Sequence, residues 1–258
     1  MAIITLTGET KSFITSKFFK EGANDYITKP FSRDELYARI YQNIDSLEIF
    51  NQVKEIFEYD IINILCEVTE YKSAETGSHI RRIKDYTTLL SKLNGTYVKE
   101  AEVIGKMAAL HDIGKIAMPD SILAKPGKLT KEEFDVIKTH AAHGKHILQE
   151  AFKSDPKMGK IAIEIAYSHH ERFDGEGYPQ GLSGSKIPIN ARIVALVDCF
   201  DALAHKRVYK EAWKMDDILE YIKSESGKAF DPSLVRLFLK HLDEFINILH
   251  KYDADKAA

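Results

Sequence analysis

Apolar residues recur at steps of three and four along most of this chain, and strand-like runs are confined to its start. Ile3 to Leu6 reads as a short strand leading into Thr7, a helical stretch follows, and Asp25-Tyr26-Ile27 reads as a second strand before the turn Lys29-Pro30-Phe31. Ser32, with Glu35 three residues on, has the spacing of a capping box and opens the next helix. From there Leu36, Ile40, Ile44, Leu47, Phe50, Val53, Phe57, Ile61, Ile64 and Val68 keep the helical step, with no Gly or Pro between Arg33 and Lys72. The pattern suits a long connecting helix able to pair with a copy of itself, and equally two ordinary helices packed on the domain that follows.

Beyond residue 72 the periodicity predicts helices over 79–93, 98–111, 131–152, 159–170, 188–204, 215–225 and 232–251, with almost no strand signal. One segment breaks the helical texture: Asp174 to Gly184, where four glycines fall between 175 and 184 and predict a shaped loop. The expected fold class is mainly α, a helical bundle preceded by a small partial α/β fragment and the connecting helix.

Charge and cysteine content narrow the setting. The 258 residues carry 36 basic and 39 acidic side chains, a net charge of -3, so no global basic field exists to grip a nucleic acid polymer. Cys66 and Cys199 are the two cysteines, too few for a disulfide framework or a four-cysteine zinc site, which fits a reducing cytoplasm. No run approaches the roughly 18 apolar residues of a membrane span, and the start lacks the apolar core of a signal peptide. Neither a membrane nor a nucleic acid polymer is expected as a partner.

The histidines change the picture more. There are ten, at 79, 111, 140, 143, 146, 169, 170, 205, 241 and 250, six of them between His111 and His170. His111 and Asp112 are adjacent at a predicted helix end, where imidazole and carboxylate can both reach one metal and the carboxylate can bridge two. His, Asp and Glu without Cys suit iron, manganese or zinc. Taken alone, the pair fits a surface or capping role better. Glu75 with His79 four residues on, His140, His169-His170 and Asp198, an acid late in the apolar run Ile193 to Phe200, join it. An unpaired buried carboxylate is costly, and metal coordination offsets that cost. A buried hydrogen bond or a solvated helix end explains each residue singly but not all of them together.

The ordered string Glu75-Thr-Gly-Ser-His79, His111-Asp-Ile-Gly-Lys115, Lys125-Pro-Gly-Lys-Leu129, Glu132-Glu-Phe134, Thr139-His140, His169-His-Glu-Arg172, Asp174-Gly-Glu-Gly-Tyr-Pro179 and Asp198-Cys-Phe-Asp-Ala-Leu203 resembles the HD-GYP domains, a branch of the HD phosphohydrolase superfamily. The resemblance covers residues 55 to 240 and implies an HD-type helical bundle holding two or three divalent ions, iron or manganese. It implies metal ligands at Glu75, His79, His111, Asp112, His140, His169, His170 and Asp198, with Asp112 bridging and Glu75 marking members with a third ion. Lys115 matches the family lysine beside the scissile phosphate, and Lys115 and Asp112 are the expected catalytic residues. Arg207 and Lys210 match substrate-phosphate contacts, although the family's Arg-Pro-Tyr-Lys reads Arg207-Val-Tyr-Lys210 here, without the fixed φ of proline.

The implied activity is metal-dependent hydrolysis of cyclic di-GMP to linear pGpG, with many family members going on to GMP, in bacterial second-messenger signalling. The alternatives are a catalytically weak sensor of cyclic di-GMP or of metal redox state, signalling through protein contacts of the Gly175 to Gly184 loop, and a phosphodiesterase for another cyclic dinucleotide such as cyclic GMP-AMP. His143, His146, His205, His241 and His250 match no family role; His143, three residues after His140, fits an ordinary polar helix position better than a partner to that ligand. Cys199 is expected to fill core.

Residues 1–41 resemble the last part of a response-regulator receiver domain, on Ile3-Ile-Thr-Leu-Thr7-Gly8, Ala23-Asn-Asp-Tyr26-Ile-Thr-Lys29-Pro30-Phe31 and Glu35-Leu36 with Ala38-Arg39-Ile40. The resemblance makes Thr7 the switch hydroxyl, Tyr26 the switch aromatic and Lys29 the phosphate-contacting lysine. The domain's first half, with its phosphoacceptor aspartate, has no counterpart, so the expectation is a truncated receiver rather than a degenerate one used as a dimerising arm. The expected organisation is a receiver fragment at 1–41, a connecting helix at 42–72 that can form a homodimer, and an HD-GYP domain at 55–258 overlapping that helix.

Overall fold

The structure, a computed structural model, describes residues 3–8, 12–73, 77–205 and 212–252. The chain divides into two units, Met1–Ile61 and Ile62–Ala258. In the first, β1 (Ile4–Thr7), α1 (Ser12–Lys20) and β2 (Asp25–Thr28) form a β-α-β crossover whose strands pair in parallel, Ile4 opposite Asp25 and Thr7 opposite Thr28. Ile27 is the buried anchor of this sheet. Ser32 Oγ accepts from the Glu35 amide at 3.0 Å and starts α2 (Arg33–Ser73), while Asn43 and Arg39 of that helix reach back to Asp25. Of the two readings of residues 33–72, a single helix is the one observed, and its 41 residues cross the boundary between the units.

The second unit is a bundle of short helices: α3 (Gly77–Leu93), α4 (Val98–Ala108), α5 (Asp120–Leu123), α6 (Lys131–Lys138), α7 (His140–Ala151), α8 (Pro156–Ser168), α9 (Ile189–Ala204), α10 (Met215–Ser224), α11 (Pro232–Lys240) and α12 (Leu242–Lys251). α9 is apolar on nearly every face and lies at the centre, with eight buried residues; α3, α8 and the amphipathic α10 and α11 pack on it, and α12 packs on α3 and α11. Tyr86, Phe200, Phe238 and Phe245, all fully buried, join α3, α9, α11 and α12 through ring contacts of 4.6–5.9 Å. Such pairs add about 0.5–1.5 kcal/mol each beyond their buried area.

Helix starts follow the local chemistry. Thr130 and Glu133 complete a capping box for α6, and Asp155-Pro156 and Asp231-Pro232 open α8 and α11 with a carboxylate cap and proline in the first turn. Several expected helices are shorter or divided. The stretch expected at 98–111 ends at Ala108, 131–152 divides at Thr139, 159–170 ends at Ser168 and 232–251 divides at His241. After the breaks at Ala108, Thr139 and Ser168 the buried side chains of His111, His140 and His169 follow within three residues. Among the described residues no helix is long and apolar enough to cross a membrane.

Candidate metal centre

After α4 the chain runs through His111 and Asp112 into a 3-10 turn, Ile113–Ala117, instead of continuing as helix. This turn lies directly on α7 because residue 114 has no side chain: a Cβ there would stand 1.9 Å from the His140 carbonyl oxygen and 2.5 Å from the Gly144 nitrogen. Gly114→Ala is therefore expected to push the turn off α7, costing about 2–3 kcal/mol. Thermal unfolding with bound-metal analysis of the purified variant checks this; unchanged melting and metal content would sink it.

The contact places Asp112 against His140 and His169. Asp112 Oδ1 lies 3.2 Å from His140 Nε2 and 3.7 Å from His169 Nε2, and Asp112 Oδ2 lies 3.2 Å from His111 Nε2 and 2.6 Å from Lys115 Nζ. On the far side, Asp198 Oδ1 is 3.8 Å from His79 Nε2 and 4.0 Å from His111 Nε2. Two groups with the spacing to hold a metal ion result: Asp112, His140, His169 and His170, and His79, His111 and Asp198, the ligand atoms of each within 4.8 Å of one another.

The backbone sets which ring nitrogen faces inward. His111 Nδ1 is 2.9 Å from the Ala108 carbonyl, His140 Nδ1 is 2.7 Å from that of Ile137, and His169 Nδ1 is 3.2 Å from those of Ile165 and Ala166. A carbonyl only accepts, so each Nδ1 carries the proton and a neutral ring leaves the Nε2 lone pair bare. The Nε2 atoms of His111, His140 and His169, and Asp112 Oδ1, are buried without a hydrogen bond of ordinary geometry. Buried polar atoms left this way are costly, and a divalent cation shared among imidazole and carboxylate donors is what this set fits.

Electrostatics favour the ligand form of His169, His170 and Asp112, whereas His111 is drawn the other way. Burial lowers the pKa of His169, and burial together with the neighbouring His169 holds His170 well below the usual imidazole range. Burial works against an ionised Asp112, but Lys115 and His111 outweigh it and hold the carboxyl well below its ordinary value. Burial likewise opposes charge on His111, where Asp112 and Asp198 prevail and raise it to about 9. His169 and His170 are thus held neutral beside an ionised Asp112, while His111 is drawn towards its charged form by the acids between which it lies.

An outer layer that sequence reasoning left without a role holds His79. Its Nδ1 lies 2.8 Å from Asp201 Oδ2, and Arg82 donates to both oxygens of Asp201 at 2.6 and 2.9 Å, with all three side chains buried. Burial opposes ionisation of Asp201, but His79 and Arg82 overcome it and hold its pKa at about 2. The signal was present: Asp201 follows Asp198 by one helical turn in an apolar helix, and Arg82 follows His79 likewise.

Glu171, also buried, accepts from the amides of Gln180 at 2.7 Å and Leu182 at 3.0 Å and so ties the glycine-rich loop down. Gly177 permits this, since a Cβ there would meet the Arg172 nitrogen at 2.2 Å. The loop's Tyr178 stacks on His170, ring centroids 4.8 Å apart. His143 and His146 are exposed, His205 Nδ1 lies 3.0 Å from the Asp201 carbonyl, and Cys199 is half-buried against the core. Glu75, Arg207 and Lys210 lie outside the described residues.

Comparison with known proteins places the chain in a family. Residues 66–234 match the family described as HD domain. The chain is 41% identical over 208 residues to the 3'3'-cGAMP-specific phosphodiesterase 2 of Vibrio cholerae, covering 81% of this chain and 38% of that protein. It is 38% identical over 256 residues to the cyclic di-GMP phosphodiesterase response regulator RpfG of Xanthomonas campestris pv. campestris, covering 92% of this chain and 66% of that protein. The chain thus spans between 38% and 66% of the length of these curated relatives. A solved cyclic GMP-AMP specific phosphodiesterase of V. cholerae shares the fold at 15% identity, TM-score 0.52, over 72% of this chain and 50% of that one. With the family match spanning the paired His and Asp of the 111–112 turn and the helices that face it, the chain belongs to the HD-domain family.

Proposed function

We propose that this chain is the catalytic part of a metal-dependent phosphodiesterase that hydrolyses cyclic di-GMP to linear pGpG and on to GMP. The observation that carries the reading is the ionised Asp112 between two histidine-lined groups, one oxygen facing each, with Lys115 on the outer oxygen. Asp112, His140, His169 and His170 would hold one ion, and His79, His111 and Asp198 the other, with Asp112 shared. Iron or manganese is the proposed metal because the donors are nitrogen and oxygen without thiolate. When bound, such ions polarise the phosphoryl group and stabilise the leaving oxygen of an in-line displacement.

The protein's own part is positioning and charge. Lys115, anchored by Asp112, presents an ammonium at the rim of the centre, where it can meet a phosphoryl oxygen as negative charge grows there. The backbone-held Nδ1 atoms keep the imidazoles from swinging towards the substrate. Ionised Asp112 sets the separation of the two groups.

The same centre suits any cyclic dinucleotide, and the relative named for 3'3'-cGAMP supports cyclic GMP-AMP as the second candidate substrate. The β1-α1-β2 arrangement and the response regulator among the relatives support reading residues 1–41 as a receiver fragment. Exposed Tyr37, Tyr41 and Ile44, at steps of four and three on α2, support a homodimer through this helix.

Anaerobic incubation of protein loaded with ferrous iron or manganese, following pGpG and GMP by chromatography, tests the reading. Cyclic di-GMP is expected to be consumed, and Lys115→Met to lower kcat about hundredfold with metal content unchanged. Full metal occupancy without product would overturn it.

A further inference from the structure

The Glu132-Glu133-Phe134 segment is used by nothing in the centre, yet it lies beside it. From His170, a member of the Asp112 group, the stacked ring of Tyr178 leads to Phe134, whose centroid is 6.5 Å from that of Tyr178 at 81°. Tyr178 has one face against His170. Phe134 stays 45% exposed, an unusual position for a phenylalanine on a helix whose buried residues number none. Lys138, one turn on, sets its ammonium 4.9 Å from the Phe134 centroid and 5.9 Å from that of Tyr178. An ion pair, Lys125 with Glu133 at 2.6 Å, braces the start of α6, so the exposed ring is carried on a fixed helix.

An exposed aromatic ring under a cation, reached by a continuous aromatic path from a centre built for phosphate chemistry, is the equipment that binds a nucleobase by stacking. We propose that Phe134, with Lys138, is a nucleobase platform that stacks one base of the substrate while its phosphate lies at Lys115, beside the Asp112 centre. The inference rests on the cyclic-dinucleotide reading and deepens it. It assigns α6 a part in substrate binding. Stacking tolerates either purine, so the platform holds the base without choosing guanine over adenine; Lys138, itself paired with Asp135 at 2.7 Å, adds charge rather than base readout.

The test measures kcat, KM and bound metal for the manganese-loaded protein with cyclic di-GMP, in wild type, Phe134→Ala, Phe134→Leu and Phe134→Trp. Because Phe134 is exposed, all four should fold. Stacking predicts a KM raised roughly tenfold or more in the alanine and leucine variants, kcat within about threefold of wild type, metal content unchanged, and KM restored by tryptophan. Leucine keeps apolar area without a π face, so it separates stacking from packing. An unchanged KM in Phe134→Ala, as expected of a protein-docking surface, would overturn the platform. So would a joint fall of kcat and metal content, which marks a structural residue. Wild-type protein with full metal and no turnover would remove the substrate reading and the platform with it, and that outcome is recognised without any variant.

Discussion

Asp112→Ala is expected to lose about thousandfold or more in kcat/KM on cyclic di-GMP, together with most of its bound metal. The residue faces both histidine groups, with Oδ1 towards His140 and His169 and Oδ2 towards His111 and Lys115. No neighbour can replace it, since the remaining donors of its own group are imidazoles and Asp198 belongs to the other. Losing a carboxylate that both groups would share forfeits several kcal/mol of transition-state stabilisation, and each 1.36 kcal/mol is about tenfold in rate. Asp112→Asn separates charge from shape: the amide fills the same space, so a fall comparable to that of alanine assigns the effect to the carboxylate. Metal content by mass spectrometry and hydrolysis by chromatography are the two measurements. An alanine variant that keeps both would refute the shared-ligand role.

The second large effect lies one layer out. Asp201→Ala removes the anion between His79 and Arg82 and leaves a guanidinium that is 1% exposed without its carboxylate. Stranding a buried charge costs about 3–5 kcal/mol. For a domain of this size that is a fall in Tm of roughly 10 °C. His79 loses the acceptor that fixes its ring, so metal affinity should drop about 10- to 100-fold as well. The two consequences can be separated. The double variant Arg82→Met with Asp201→Leu replaces the pair by apolar volume and should recover much of the stability while leaving metal affinity low. If the double variant is no more stable than Asp201→Ala, the cost does not come from the stranded arginine.

Much of this was legible in the sequence, for definable reasons. Long apolar periodicity located the helices of the bundle, and the seven described ligand candidates, each of which taken singly fits an ordinary role, converge as their combination and the family resemblance led one to expect. The divisions at Thr139 and His241 were not legible: neither position is Gly or Pro, so the local signal continued across them. Tertiary packing ends α6 there, because the next turn must aim His140 at Asp112. The same holds for His111 and Asp112, which read as a helix end and lie in a turn that only the approach of Gly114 to α7 explains. Asp201 and Glu171 were printed in the motif but silent, since a carboxylate that serves another side chain or a loop amide looks in sequence like any other acid.

The tie between Glu171 and the loop bears on rates. With two amides of the 173–184 segment bonded to a buried carboxylate, and the Gly177 backbone lying on Glu171, the loop loses little conformational freedom when a ligand arrives. It is a fixed wall rather than a lid. Amide hydrogen exchange at Gln180 and Leu182 is therefore expected to be as slow as in the helices that flank them, and kcat is expected not to depend on opening of this loop.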